Sequence, residues 1–198
     1  MKKIEKRLTI VSALLITIAT VGFVIIPFFF ENKISELKEK NNEIVDTQKS
    51  VYDILLTANN LNDKFHDIID DIDIMAKLNL NKSTIKNKLS RVFAMRYESA
   101  LFYLNAAIAS KAINRDEYNS AKSKLNSFKT DQEFQSHYDK YFAISTEQTN
   151  IIDEQRKENQ KSIYEWTDYK NMIWYISLAF QCMGMVIALI IIYIKKDV

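Results

Sequence analysis

Two stretches decide the architecture: LTIVSALLITIATVGFVIIPFFF (residues 8–30) and MIWYISLAFQCMGMVIALIIIYI (residues 172–194), each 23 residues without a charge. A hydrocarbon core of about 30 Å crossed at about 1.5 Å per residue needs roughly 20 apolar residues, so either run is long enough to span with some tilt. A buried helix of a soluble protein that long would normally carry a charge. Both runs read as transmembrane helices. The first begins after a basic leader, MKKIEKR, and Thr20-Val21-Gly22 loosely imitates a signal-peptidase site. Its apolar character continues past Gly22 to Phe28-Phe29-Phe30 with no small residues at its edge, so it reads as an uncleaved anchor. Pro27, near its outer end, is expected to kink the last turn.

Working outward, Lys2, Lys3, Lys6 and Arg7 precede the first run and Lys195 and Lys196 follow the second. Basic residues at both tails predict cytoplasmic termini and an extracytoplasmic middle. The expected layout is a basic tail (1–7), a first span (8–30), an extracytoplasmic helical domain (31–171), a second span (172–194) and a short tail (195–198). Formal charge is +2 overall, with +3 and +1 on the tails and −2 on 31–170. A near-neutral domain without a basic patch excludes nucleic acid as the expected partner. The only cysteine, Cys182, falls in the second span, so the domain is expected to stand without disulfides. The tails are too short to fold, and any signal is expected to pass to another protein. Asn- and Lys-rich usage suggests a bacterial plasma membrane.

The two glycines and the single proline all fall in the spans. About 140 residues without either are hard to build from hairpins and easy to build from long helices. The fold class is all-α: an antiparallel long-helix bundle, with a four-helix-like head (51–145) on a two-helix coiled-coil stalk (31–50 and 146–171). The first long helix has a seam spaced alternately three and four: Ile34, Leu37, Asn41, Ile44, Gln48, Val51, Leu55, Ala58, Asn62, Phe65, Ile69, Ile72 and Ala76. Asn41, Gln48 and Asn62 read as register-fixing or wetted positions. Asn81-Lys82-Ser83-Thr84 is a break with Ser83 as N-cap, opening a broadly apolar second helix to about Ile113. Asp116 should cap a third helix through Phe128. Thr130-Asp131 opens the last, whose seam Phe134, Tyr138, Tyr141, Ser145, Gln148, Ile152, Gln155, Asn159, Ser162, Trp166 and Tyr169 leads into the second span.

This layout resembles the sensor half of bacterial chemoreceptors and sensor kinases, in which a helical bundle sits outside between two spans. The resemblance covers nearly the whole chain but is one of architecture, and no binding residue is carried over from it.

Chemistry is sparse. His66 with Asp70, an i,i+4 pair, would hold a metal only if His137 approached it, and nothing fixes that geometry, so no metal is expected. No serine bordered by glycine, no Gly-rich phosphate loop and no thiol outside the spans occurs, so neither an enzyme nor a cofactor is expected. Arg91 and Arg96, interleaved with Tyr97 and Tyr103, form the weak candidate for ligand binding. Within the spans, Ala13, Thr17 and Thr20 on one helix and Ser177, Gln181, Gly184 and Ala188 on the other form two small or polar stripes. These are expected to pack together, with Gln181 hydrogen-bonded across the contact. The leading functional expectation is a non-enzymatic, membrane-anchored interaction module that oligomerises or docks on a protein through its broad second helix. The alternatives are a ligand-sensing domain and an oligomeric membrane effector or pore. A cavity lined by Arg91 or Arg96 would favour sensing. A flat apolar patch on 92–108 would favour docking, and a ring of Gln181 side chains would favour the effector.

Overall fold

The protein is all-α in a computed structural model that describes residues 2–79, 82–128 and 130–196, among which no strand occurs. The elements are α1 (Lys2–Ile25), a π-helical turn (Ile26–Glu31), α2 (Asn32–Lys77), α3 (Lys82–Ala109), α4 (Arg115–Leu125) and α5 (Asp131–Lys196). α1 with its π turn and α5 contain the two segments long and apolar enough to cross a membrane. Pro27 sits at the start of the π turn. The widened turn accommodates a residue that lacks an N–H and crowds the preceding carbonyl, so the helix continues where a break was conceivable.

Local chemistry sets the helix ends. Asn79 (φ 51°) follows α2 in the left-handed region, where asparagine costs little. α3 closes in a Schellman motif around Lys111 (φ 62°): the Ala112 N–H donates to Ala107 O at 3.0 Å and the Lys111 N–H to Ile108 O at 3.0 Å. α3 therefore stops at Ala109, short of the expected Ile113. The cap of α4 is Asn114, whose side chain accepts from the Glu117 N–H at 2.8 Å. Asp116, expected as that cap, lies in the first turn, where its charge favours the helix N-terminus. α4 ends at Leu125 and not at Phe128. Ser83 likewise falls inside the first turn of α3, which begins at Lys82, and Asn81 lies outside the described residues. Thr130 opens α5 as expected, in a capping box with Glu133: Glu133 N–H to Thr130 Oγ1 at 3.2 Å, Thr130 N–H to Glu133 Oε2 at 3.3 Å.

The chain divides into two compact units, Met1–Asn42 with Lys157–Val198, and Glu43–Arg156. In the first, the contacts between α1 or the start of α2 and the end of α5 run antiparallel. They are Glu5 with Lys195 (3.0 Å), Ser12 Oγ to Gly184 O (2.7 Å), the Phe23 and Trp174 rings (6.4 Å), Phe30 with Trp166 (5.7 Å), and Asn159 Nδ2 to Leu37 O (2.8 Å). The buried line on the first helix is Ser12, Ala19, Gly22, Ile26 and Phe30, spaced by threes, fours and sevens. Ala13, Thr17 and Thr20, expected at this contact, point away from it and are exposed. The Thr17 and Thr20 hydroxyls donate to the carbonyls of Ala13 and Ile16, four residues back, and so need no neighbour. Ser177 and Gly184 are buried on the facing line, and Gln181 and Ala188 half-buried beside them. Among the described residues the Gln181 side chain makes no hydrogen bond. The polar link across this contact comes from Ser12. Gly22 is required, since a Cβ there would land on Ser177 Oγ, and one at Gly184 would come within 2.8 Å of Ile16 Cγ1.

In the second unit α3 is the central helix. Its Ala100, Tyr103, Leu104 and Ala107 pack with Ala58 of α2, Ala121 and Leu125 of α4 and Tyr141 of α5, while Val51, Ala106 and Ile152 form a second cluster. The seam of α2 is buried or half-buried from Ile34 to Ile72, whereas Ala76 is exposed. On α5, Gln155 and Tyr169 turn outward, and Arg156 and Lys170, one residue later, are half-buried in their place. Between them Asn159, Ser162 and Trp166 keep to the seam, buried or half-buried.

Leu104, fully buried, should be a keystone of this unit. Leu104→Ala is expected to destabilise the protein by about 2–5 kcal/mol, and Leu56→Ala, at a position 56% exposed, by no more than about 0.5 kcal/mol, as read by equilibrium unfolding in detergent micelles.

Candidate functional site

The candidate site lies in the Glu43–Arg156 unit and is organised around Arg96. α3 presents this residue toward the start of α5, where its Nη1 donates to Asp131 Oδ1 at 2.6 Å and its Nη2 to Gln135 Oε1 at 2.6 Å. The guanidinium also stands over two rings, 5.5 Å from the Phe65 centroid and 5.0 Å from that of Phe134. A planar, weakly hydrated cation suits such a place, since it can stack and donate in its plane at once.

Two clefts share Arg96 as a wall. The larger, about 550 Å³, is lined from α2 by Asn59, Asn62, Phe65 and His66, from α3 by Arg96 and Tyr103, and from α5 by Gln135, Tyr138, Asp139 and Phe142. Tyr103 is 2% exposed. Its hydroxyl donates to Asn59 Oδ1 at 2.7 Å, and its ring meets Tyr138 and Phe142 nearly perpendicularly at 5.2 and 5.1 Å. Tyr138 donates to Asn62 Oδ1 at 3.3 Å. Burial, followed by the Tyr138 hydroxyl beside it, pushes the Tyr103 phenol well above its ordinary value, so it stays a neutral donor. The smaller cleft, about 390 Å³, is lined by Phe93, Arg96, Tyr97, Leu125, Phe128, Thr130, Asp131 and Phe134. The Tyr97 hydroxyl donates to Asn126 Oδ1 at 2.9 Å.

Of the four residues singled out by sequence, three are thus brought together: Arg96 between the clefts, Tyr103 in the larger and Tyr97 in the smaller. Arg91 is exposed and lines neither. The contributions of α2 and α5 were not singled out as a site. Their signal was Asn62, a polar interruption of an otherwise apolar seam, together with Tyr138 on the seam of α5. His66 borders the larger cleft, and His137 a separate shallow one with Lys124 and Lys140. Among the described residues no three His, Cys, Asp or Glu side chains converge as a metal site would require. No family model matches the chain, and neither curated proteins nor solved structures give a significant match.

His137 stands between the Phe128 and Tyr141 rings, at 5.0 and 4.8 Å, and among the described residues its buried Nε2 has no hydrogen-bond partner. Burial first, then the charges of Lys140 and Lys124, lowers its pKa from the usual 6.5. The folded protein therefore resists a proton that the unfolded chain accepts. Stability should be unaffected above about pH 7, fall as pH drops through 6.5, and level off below the folded pKa. Thermal melts of wild type and His137→Leu across about pH 5–8 should differ in slope, with the variant flatter; parallel curves would exclude this origin.

Proposed function

We propose that the chain is a non-enzymatic, two-pass membrane protein of a bacterial plasma membrane, with both termini cytoplasmic, whose helical unit outside the membrane binds a small molecule. The observation that carries the binding is the pair of clefts sharing Arg96. Ligand sites are concave, of about 300–1,000 Å³, and combine apolar walls with a few placed polar groups. The larger cleft has ring walls and three side-chain amides, and the smaller has mostly rings and one ion pair.

The docking reading depends on a free apolar face on α3, and Val92, Leu104, Ala106 and Ala107 of that face are buried within the unit, leaving Phe93 as its large exposed ring. Membrane insertion is supported by the exposure of the apolar runs themselves. Leu14, Val21, Val24, Val186, Leu189 and Ile192 are all more than half exposed, a surface that water would strongly disfavour. Exposed aromatic residues cluster toward the ends of the runs: Phe28 and Phe29 on one, Trp174, Tyr175 and Tyr193 on the other. Such rings favour the membrane–water boundary. α5 supplies Asp131, Phe134, Gln135 and Tyr138 to the clefts and also contains the second apolar segment, so a change at its first turns acts on a helix that enters the bilayer.

Two measurements test this reading. With Cys182→Ser and a single cysteine at the exposed Asn119, an impermeant maleimide should label intact cells, and protection until lysis would reverse the topology. A metabolite library tested on the protein in nanodiscs should yield a compound that raises the melting temperature. Asn62→Leu, which removes an amide from the larger cleft and the acceptor of the Tyr138 hydroxyl, or Phe93→Asp, which charges the smaller, should weaken that compound by roughly tenfold or more. A library with no hit sensitive to either substitution would exclude a small-molecule function.

A further inference from the structure

We infer that the smaller cleft receives a monocarboxylate with a single ring or branched chain, and that Asp131 occupies Arg96 as a resident stand-in for that ligand's carboxylate. The inference rests on the small-molecule reading above and names the ligand class.

Four observations converge on it. The cleft is walled by Phe93, Tyr97, Phe128 and Phe134 with Leu125. About 390 Å³ is the scale of a one-ring ligand, not of a nucleotide or a long acyl chain. Among the described residues, the full charges on its lining are Arg96 and Asp131. Finally, the two partners of this ion pair are held very differently. The Arg96 side chain is 18% exposed and keeps Gln135 at 2.6 Å and the Phe65 and Phe134 rings whatever Asp131 does. The Asp131 side chain is 72% exposed and reaches the guanidinium through one oxygen.

A pair with one partner so open to water contributes little to stability, and the aspartate can turn into solvent without loss of hydration. The guanidinium left behind is fixed, partly dehydrated and short of one acceptor. An incoming carboxylate restores the charge-assisted bond to Nη1 in a drier place, with its apolar body on the rings. Phe93, 61% exposed beside the cleft, would be partly covered. Asp131 keeps its place in the first turn of α5, where a helix N-terminus favours an acidic residue. An amine gains nothing from Arg96. A phosphate dianion would face, among the described residues, one cation already shared with Gln135.

The resident-competitor arrangement predicts an unusual mutational pattern. The probes are phenylacetate, 4-methylpentanoate and the neutral isostere phenylacetamide, measured by calorimetry on the full chain in nanodiscs. Wild type should bind at least one carboxylate and not the amide. Asp131→Asn should bind that carboxylate roughly tenfold tighter, because its competitor is gone, and Arg96→Gln should lose it by at least a similar factor. Phe93→Asp, at an exposed position that the fold does not need, should also lose binding, which separates loss of site from loss of fold. Unchanged or weaker binding by Asp131→Asn would refute the stand-in role. Equal binding of the amide would refute the ligand class while leaving a small-molecule site in place. If no probe binds either protein the inference falls, and a library hit sensitive to Asn62→Leu would still sustain the broader function, whereas none would end both.

Discussion

The hydroxyl of Tyr103 is the contact on which the helical unit turns. A phenol that is 2% exposed must find an acceptor or lose the hydrogen bonds that water gave it. It finds Asn59 Oδ1 at 2.7 Å, which joins α3 to α2, while its ring lies edge-on to Tyr138 and Phe142 and so joins α3 to α5. One side chain thereby fixes three helices in register. Around it the close contacts are made by small residues, Ala58, Ala100, Ala106, Ala107 and Ser99, of which Ser99 Oγ donates to Ala58 O at 3.2 Å. Small residues let helix backbones approach, and tyrosine–amide pairs fix which residues meet. α4 is tied in the same way, through Tyr118 to Asn105 at 2.8 Å and Tyr97 to Asn126 at 2.9 Å.

How much of this was legible in the sequence follows from what each feature depends on. The α2 seam was readable because its burial is set by periodicity, and Ile34, Val51 and Ala58 sit where a 3.5-residue repeat places them. The α5 seam was readable in the same way, with Gln155 and Tyr169 as the exposed exceptions and Asn159 and Trp166 still on it. Helix ends decided by a capping side chain were read well at Thr130 and misread at Asn114 and Ser83, since Asn-Arg-Asp and Lys-Ser-Thr each offer more than one capable residue. The end of α3 at a left-handed Lys111 could not be read, because lysine carries no signal for that conformation. Of the candidate site, the α3 residues were found because arginine among aromatics is conspicuous. The opposing wall was hidden, because Asn59 and Asp139 are ordinary exposed polar residues until the fold brings them beside Tyr103 and Tyr138.

The first helix shows the same limit in a different setting. Ala13, Thr17 and Thr20 form as good a small-residue stripe as Ser12, Ala19 and Gly22. A hydroxyl four residues after a carbonyl can satisfy itself, however, so threonine gives no directional signal in a helix. Ser12 instead donates to Gly184 O, beyond its own helix. Glycines at 22 and 184 settle the choice, since each meets a neighbour where a side chain would not fit. Polar character alone did not mark the contact; glycine, which has no other reason to sit inside a helix, did.

The clefts have a packing cause. Across from Tyr138 and Phe142 of α5, α2 presents Asn59 and Asn62, side chains too short to fill the space that large rings on one wall leave open. Longer apolar residues there would have closed the interior and added burial. Amides hold the tyrosine hydroxyls instead, and the same bonds that fix the register keep the helices from collapsing together. On the other side of Arg96, the turn between α4 and α5 places Phe128 and Thr130 as a rim, so the interior stays open there too. A unit of this size gives up core it can ill spare by leaving two hollows. On the small-molecule reading proposed above the hollows are filled in use, and the fixed guanidinium between them gives an occupant something to recognise.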